Sequence, residues 1–311
     1  MTLTAHAFGL IGHADVLDTA RGFGGHALLL AGPARVGKRA LARVIAATVN
    51  CAMPDSPCGT CPSCLSVLRG NFPDLLELEP KTTTASGKTA RRRLIPVSAI
   101  TEKRDEGHEY ERHVVEWLET SPTHARKVVI MDGAEFLNEE SANALLKVVE
   151  EPPHRALFVF LAEEGAAVLP TIASRATRLR VAPLSEAELR DTLRLLGETD
   201  PDLLAFASGR PGVIVERERA REAIADARAL ADALSISMLA ALEAAEGLEK
   251  RFDPQWHPEA LRFALRHEAP HVRAASDEAL EQLQAALEQY VSPSLAFQVL
   301  ALKLRAALGY A

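Results

Sequence analysis

All four cysteines of the chain lie in one short segment, which favours a metal site. They are Cys51, Cys58, Cys61 and Cys64, in a C-x6-C-x2-C-x2-C pattern. Thiolates bind Zn²⁺ at about 2.3 Å, and the short x2 loops let three sulfurs converge on one ion while the fourth arrives from the end of the preceding helix. Two disulfides or four unrelated thiols are the alternatives; a cytosolic setting disfavours the first and the clustering the second. Because four protein ligands leave no open position, the pattern predicts a structural zinc ion.

A glycine loop could hold phosphate groups. Residues 32–38, GPARVGK, have the glycines and the lysine of a phosphate-binding loop at the correct spacing. In such loops the backbone N–H groups surround the phosphates, the lysine reaches the β- and γ-phosphates, and a following Ser or Thr hydroxyl binds Mg²⁺. Arg39 occupies that last position, and a guanidinium cannot bind a cation. ATP binding is therefore doubtful, and a glycine turn without a nucleotide stays open as an alternative.

A second defect lies at another catalytic position, where such proteins have a Glu that orients the attacking water. Asp132 ends the apolar run KVVIM and stands where a magnesium-binding carboxylate is expected, usually with a catalytic Glu directly after it. This chain has Gly133 there, and Glu135 fits better in the following loop. The candidate residues of this degenerate nucleotide site are Gly32, Gly37, Lys38 and Asp132.

These residues need elements that position them, and the sequence indicates an α/β domain. Apolar runs of this kind predict strands buried on both faces of a parallel sheet. The predicted strands are residues 26–31, 127–131 and 157–161. A helix follows Lys38, and another is capped by Asn138 and stopped by a Pro-Pro pair. Alternation of strands and helices to about residue 180 predicts a doubly wound domain.

The rest of the chain predicts helical structure. Ser185 and Glu188 have the spacing of a capping box, which opens a small helical segment. From about residue 216 onward the sequence is rich in Ala, Leu and Glu. The predicted division is an α/β domain at 1–181 with the zinc module at 51–64, a small lid at 182–232 and a helical domain at 233–311.

An apolar stripe in the last helical segment has two interpretations. Leu295, Val299 and Leu302 recur at helical spacing. Such stripes are usually core and occasionally a subunit interface.

Charge and hydropathy exclude some classes of function. A net charge of −7 disfavours a protein whose main work is binding phosphate backbones. No apolar run is long enough to span a bilayer and the start lacks a signal-peptide pattern, so we expect a cytoplasmic protein with no membrane partner. The basic stretch at 81–93 is interpreted as a solvated charge run without an assigned role. Its Ser86–Thr89 segment imitates the end of a phosphate loop, but no apolar strand precedes it.

Together these motifs resemble the clamp-loader subunits of bacterial DNA polymerase III. The resemblance is carried by the phosphate loop, the cysteine insert after its helix, VVIMDGAEFLNEESANALLKVVEEPP, IASRATRLRV, and SPSLAFQVLALKLRAAL near the end. It covers nearly the whole chain, and residues 143–153 are its most specific part. It implies a P-loop-type AAA+ domain, a small helical lid and an all-helical collar. It also implies a pentameric complex with tau/gamma and delta subunits, which loads the sliding clamp at primed DNA reached through the complex.

Two types of family member carry this zinc insert: the tau/gamma motor, which hydrolyses ATP, and delta-prime, which is catalytically weak or inactive. Arg39, Gly133 and the lack of a long tail domain favour the delta-prime type. An active tau/gamma-type ATPase is the first alternative. A stand-alone zinc-module protein that binds DNA is the second, and the negative net charge argues against it.

The resemblance also implies a role for Ser174 and Arg175. In this family a Ser-Arg-Cys triplet supplies an arginine finger to the ATP bound on the neighbouring subunit, and here the triplet ends in Ala176. A cation delivered in trans stabilises charge on the transferring phosphoryl group and raises the rate by roughly 10³–10⁵ in related systems. From the sequence alone, a surface arginine beside Arg178 and Arg180 is the favoured interpretation of Arg175, and only the family resemblance argues against it. The family's sensing arginine of the lid aligns ambiguously: Gly212 is one candidate for its position, and Arg210 is not assigned that role.

Overall fold

The computed structural model describes residues 8–80, 93–102, 112–190, 199–289 and 291–310. The predicted basic stretch lies outside the described residues except for Arg93, whose guanidinium stacks 4.4 Å from the ring centre of Phe136. The described chain forms two compact units. One comprises the residues before 199 together with Ser208–Gly212, and the other comprises Thr199–Ala207 and the residues from Val213 onward.

A parallel five-stranded sheet forms the centre of the first unit. Its strands are β1 Ala27–Ala31, β2 Leu75–Leu78, β3 Val128–Asp132, β4 Leu157–Ala162 and β5 Thr177–Arg180. They are hydrogen-bonded in the order β2-β3-β4-β1-β5, and every pair is parallel. The three predicted strands are confirmed to within one residue at each end. They are the central strands, where helices on both faces demand continuous apolar sequence.

The strands β2 and β5 were not predicted, and both lie at an edge of the sheet. In β2 the half-buried Glu77 interrupts the apolar run, and in β5 Arg178 and Arg180 are exposed. Charged side chains on an edge strand discourage pairing with other chains. They also remove the apolar signal by which a buried strand is recognised.

Helices cover both faces of this sheet. They are α1 Ala14–Arg21, α2 Lys38–Asn50, α3 Pro62–Leu68, α4 Val97–Ile100, α5 Val114–Glu119, α6 Glu139–Glu150 and α7 Pro170–Ala173. Successive residues of one strand point to opposite faces, so Phe158 belongs to one core cluster and Val159 to the other. The predicted cap of α6 is confirmed, because Asn138 Oδ1 accepts a hydrogen bond from the Ser141 N–H at 2.8 Å.

All the regular secondary structure described in the second unit is helical. They are α8 Pro201–Ala207, α9 Pro211–Val215, which begins in the first unit, α10 Arg217–Ile236, α11 Met238–Arg251, α12 His257–Ala264, α13 Pro270–Glu288 and α14 Pro293–Ala307. Helix α10 packs against α11 and α12, and α14 packs against α11 and α13. The predicted boundary at residue 232 falls inside α10, and the three-domain division stays a prediction. None of the described helices is both long and apolar enough to cross a membrane.

Helix α14 has a buried face and an exposed apolar face. Phe297 and Leu300 are buried among the neighbouring helices. The predicted stripe lies on the other side: Leu295, Val299 and Leu302 are 54%, 39% and 42% exposed. The stripe therefore does not belong to the core of this unit.

Candidate functional site

The four cysteines come together beside helices α2 and α3. Cys51 follows the last residue of α2, Cys61 precedes the first residue of α3, and Cys64 lies in the first turn of α3. All four are free thiols, and their sulfur atoms lie within 4.8 Å of one another. A tetrahedral ion with metal–sulfur bonds of about 2.3 Å requires sulfur–sulfur distances of roughly 3.8 Å. The Sγ atoms of Cys51 and Cys61 are 3.9 Å apart, so the cluster fits one metal ion.

Hydrogen bonds and burial act differently on these thiols. The Thr60 hydroxyl and N–H donate to Cys58 Sγ at 3.5 Å and the Cys61 N–H donates at 3.2 Å. These bonds lower the pKa of Cys58 to about 6. Burial raises the pKa of Cys64, which packs against Val67. A metal ion would displace the proton of the Cys64 thiol, because the thiolate is the form that binds a metal.

The glycine loop connects β1 to α2, as predicted, and its glycines are required by its shape. Gly37 has a φ of 110° at the start of α2, a conformation that favours glycine. A Cβ on Gly32 would lie 2.0 Å from the carbonyl oxygen of Val181. The lysine of the loop folds back onto the loop itself: Lys38 Nζ donates to the carbonyl oxygens of Gly32 at 2.6 Å and Pro33 at 2.8 Å. Burial lowers the pKa of Lys38.

Arg39 forms an ion pair with the carboxylate that would bind magnesium. Its Nε donates to Asp132 Oδ2 at 2.7 Å, and its Nη2 donates to Glu79. Burial alone would lower the pKa of Arg39, but the carboxylates of Asp132 and Glu79 raise it by more, so the net shift is upward. At the end of β3, the guanidinium of Arg39 therefore neutralises the negative charge of Asp132, to which a divalent ion would bind.

The position after Asp132 cannot readily hold the missing catalytic Glu. Gly133 has a φ of 85°, and a Cβ there would lie 2.7 Å from the ring of Phe136 and 3.1 Å from Pro80. Glu135 belongs to the following loop, as predicted, where its Oε1 accepts a hydrogen bond from the Glu163 N–H at 3.1 Å. The turn after β3 is thus built for a residue without a side chain.

The segment Ser208–Gly212 lies directly against the glycine loop, a contact that sequence reasoning missed. The Gly212 N–H donates to the carbonyl oxygen of Arg35 at 2.9 Å, and a Cβ on Gly212 would lie 2.7 Å from that oxygen. The signal in the sequence was the Ser-Gly-Arg-Pro-Gly run, which was interpreted only as an ambiguous alignment. Since residue 212 has no side chain and no room for one, it cannot act as a sensing arginine.

Arg175 lies at the surface and is held in a fixed arrangement. It follows Ser174, the residue after α7. Its Nε donates to Glu150 Oε1 at 2.6 Å, and its Nη1 donates to the Thr171 carbonyl oxygen at 2.8 Å and to Ser174 Oγ at 3.4 Å. The side chain remains 33% exposed. The guanidinium is therefore oriented by the end of α6 and by α7 and is still partly exposed.

Comparisons with known proteins identify the family. The family model described as DNA polymerase III, delta subunit, matches residues 18–185, more than half of the chain. The DNA polymerase III subunit delta′ of Pseudomonas aeruginosa is 32% identical over 260 residues, which cover 78% of this chain and 74% of that protein. The chain belongs to the delta-prime family of DNA polymerase III subunits. The type of family member predicted from Arg39 and Gly133 is confirmed.

Gamma/tau subunits match the delta-prime chain over a smaller share. The Mycobacterium tuberculosis gamma/tau subunit is 35% identical over 153 residues, 48% of this chain and 23% of that protein. The Escherichia coli tau subunit is 29% identical over 171 residues, 54% of this chain and 23% of that protein. The alignment thus spans about a quarter of these longer relatives.

A solved structure supports the fold. The gamma subunit-related protein of Thermotoga maritima superimposes with a TM-score of 0.52 at 16% identity, covering 94% of this chain and 98% of that chain. At this identity the likeness shows the fold alone. With the sheet order described above, it supports the predicted fold class, an α/β domain with a parallel sheet followed by helices.

Proposed function

We propose that this delta-prime chain is a largely ATPase-inactive subunit of the clamp loader, which assists hydrolysis on a neighbouring subunit. The observation that carries the proposal is the ion pair between Arg39 and Asp132. A cation already bonded to the magnesium-binding carboxylate competes with Mg²⁺, and without Mg²⁺ the charge of a transferring phosphoryl group is not neutralised. Two glycines support the same conclusion. A catalytic Glu has no room at Gly133, and a sensing arginine has no room at Gly212.

The active part of this proposal is Arg175. Its guanidinium is exposed enough to contact a second protein and is oriented by Glu150. We place it as the arginine finger for ATP bound on a neighbouring tau/gamma subunit, with Ser174 supporting its orientation. In that arrangement the chain serves catalysis without carrying out hydrolysis itself.

Assembly is the second part. The exposed apolar face of α14, formed by Leu295, Val299 and Leu302, supports a collar that packs against other subunits. The partners would be tau/gamma and delta in a pentameric complex. The complex would load the sliding clamp at primed DNA in the cytoplasm, and this chain would take part in DNA loading through the complex.

The metal proposed for the four cysteines is zinc. Four thiolates in tetrahedral reach of one another are the ligand set of a structural zinc site, and no ligand position is left for a substrate. The ion would fix the segment between α2 and α3 and take no part in hydrolysis.

Replacing Arg39 with threonine should restore part of the lost magnesium site. The change removes the guanidinium from Asp132 and supplies a hydroxyl where phosphate loops use one. We expect Arg39→Thr to bind ATP at least about tenfold more tightly with Mg²⁺ than without it, still without turnover, because Gly133 is unchanged. Calorimetric titration with ATP, with and without Mg²⁺, measures this.

The matched control is Arg43→Thr. Arg43 and Arg39 line one cavity beside Asp132. Arg43 bonds Glu77 through Nε at 2.7 Å and Nη2 at 2.8 Å, so its replacement leaves the Arg39–Asp132 pair intact. It should gain no magnesium-dependent binding. Equal gains in both variants, or magnesium-dependent binding already in the parent protein, would contradict the role given to Arg39.

A further inference from the structure

A cavity of about 350 Å³ opens at the amino ends of the strands, whereas the glycine loop lies at the carboxyl end of β1. Its lining comes from the segments that precede β1, β3 and β4: Gly24, Gly25, His26, Arg126, Glu151, Pro152 and Arg155. The glycine loop follows the carboxyl end of β1, whereas this cavity lies at the amino ends of parallel strands. It is therefore separate from the site already described.

Arg126 is a cation with incomplete bonding in the wall of this cavity. Its Nη2 donates to the carbonyl oxygens of Ala156 at 3.2 Å and Gly25 at 3.5 Å. Its Nε is buried and has no hydrogen-bond partner in the described chain. Burial lowers the pKa of Arg126, and the positive charge of Arg155 lowers it further. Because that Nε is buried, a ligand in the cavity would have to contact the terminal N–H groups of the Arg126 guanidinium.

Arg155 brings a second positive charge to the same cavity. It and His154 have φ values of 58° and 51°, a left-handed conformation that side chains other than glycine rarely adopt. Glu151 also lines the cavity, but within the described ranges no ion pair joins it to Arg126 or Arg155. Two guanidinium groups thus line one space with the carboxylate of Glu151, and in the described residues neither of them forms an ion pair with it.

We propose that this cavity binds a phosphate group through Arg126 and Arg155, in a lining that also includes His26. Guanidinium groups present planar sets of N–H donors that match the oxygens of phosphate, and such charge-assisted bonds are stronger than neutral ones. A phosphate provides more acceptor oxygens than a carboxylate and carries more charge to offset two arginines. The group could belong to free phosphate or to a nucleic-acid backbone, and both have the same chemistry at this site. The proposal does not depend on the nucleotide site or on Arg175.

The test is titration of the full chain with sodium phosphate at constant ionic strength, followed by the side-chain Nε–H signals of arginine in ¹H–¹⁵N NMR spectra. We expect one saturable shift that includes Arg126, and a dissociation constant at least about tenfold weaker in Arg155→Ala. Arg155 is exposed, so this variant should fold even if Arg126→Gln does not. Arg262→Ala is the control: it removes the same charge from the second unit, where Arg262 pairs with Asp277.

Two further probes separate the possible ligands. Sodium acetate at the same concentrations should give no saturable shift. A short single-stranded oligonucleotide that binds and loses affinity in Arg155→Ala would identify a backbone phosphate, whereas a response to phosphate alone would identify the free anion. A response that is absent, is equal with acetate, or is unchanged in Arg155→Ala would overturn the proposal.

Discussion

Replacing Arg175 with alanine is expected to slow ATP hydrolysis on the neighbouring tau/gamma subunit by about a thousandfold or more. The guanidinium would stabilise the negative charge on the transferring phosphoryl group in the transition state. The parent side chain is already oriented by Glu150 and Thr171 while it remains partly exposed. The measurement is single-turnover hydrolysis in a complex of this chain with a tau/gamma subunit, under conditions in which only the site next to this chain is loaded.

Two variants make that experiment specific. Arg178→Ala removes an exposed arginine of β5 three residues away and should leave the rate unchanged. Arg175→Lys keeps the charge but loses the planar set of donors, so we expect an intermediate rate. All complexes must first be shown to assemble equally by gel filtration. A rate in Arg175→Ala equal to that in Arg178→Ala would remove Arg175 from the mechanism.

Loss of the proposed zinc ion is expected to have the largest effect on stability. Structural zinc contributes roughly 10–16 kcal/mol of apparent binding free energy in small zinc-finger peptides, and that energy is coupled to folding. Cys64 is buried with the apolar residues Val67 and Phe72, and the other three cysteines pack against this group. We therefore expect Cys64→Ser to lose the metal and to lower the Tm of the protein by at least about 10 °C.

Elemental analysis and thermal unfolding measure the two parts of that prediction. The parent protein should contain one zinc ion per chain. Ser63→Ala is the matched control, because Ser63 is a buried neighbour of Cys64 in α3 that offers no thiolate; it should keep its zinc. A parent protein purified without zinc, and insensitive to strong chelators, would show that the cysteines are only a packed cluster.

The sequence predicts those structural features whose residues lie close together in the chain. The strands β1, β3 and β4 are continuous apolar runs, α6 begins where Asn138 can cap it, and the cysteines are close in the chain. The Ser185–Glu188 capping box is also present, with the Glu188 N–H donating to Ser185 Oγ at 3.3 Å. In each case the residues that interact are near neighbours in sequence, so spacing alone carries the information.

Features formed between distant segments could not be predicted. The sequence showed that Arg39 cannot bind a metal, but not that it pairs with Asp132 and Glu79, which lie far along the chain. Likewise, nothing local in Gly212 indicates its contact with Arg35. The edge strands were missed because their charges hide the apolar pattern. For the stripe on α14 the spacing was right, but only packing distinguishes a core face from an exposed one.

The central claim is that this chain cannot run the hydrolytic cycle by itself, and steady-state ATP hydrolysis by the purified protein alone tests it most directly. The assay compares the parent chain with Lys38→Ala, in the presence and absence of Mg²⁺. The account predicts no magnesium-dependent turnover in the parent above the level that Lys38→Ala shows. Magnesium-dependent turnover that disappears in Lys38→Ala would contradict it and would mean that the chain is an active motor subunit.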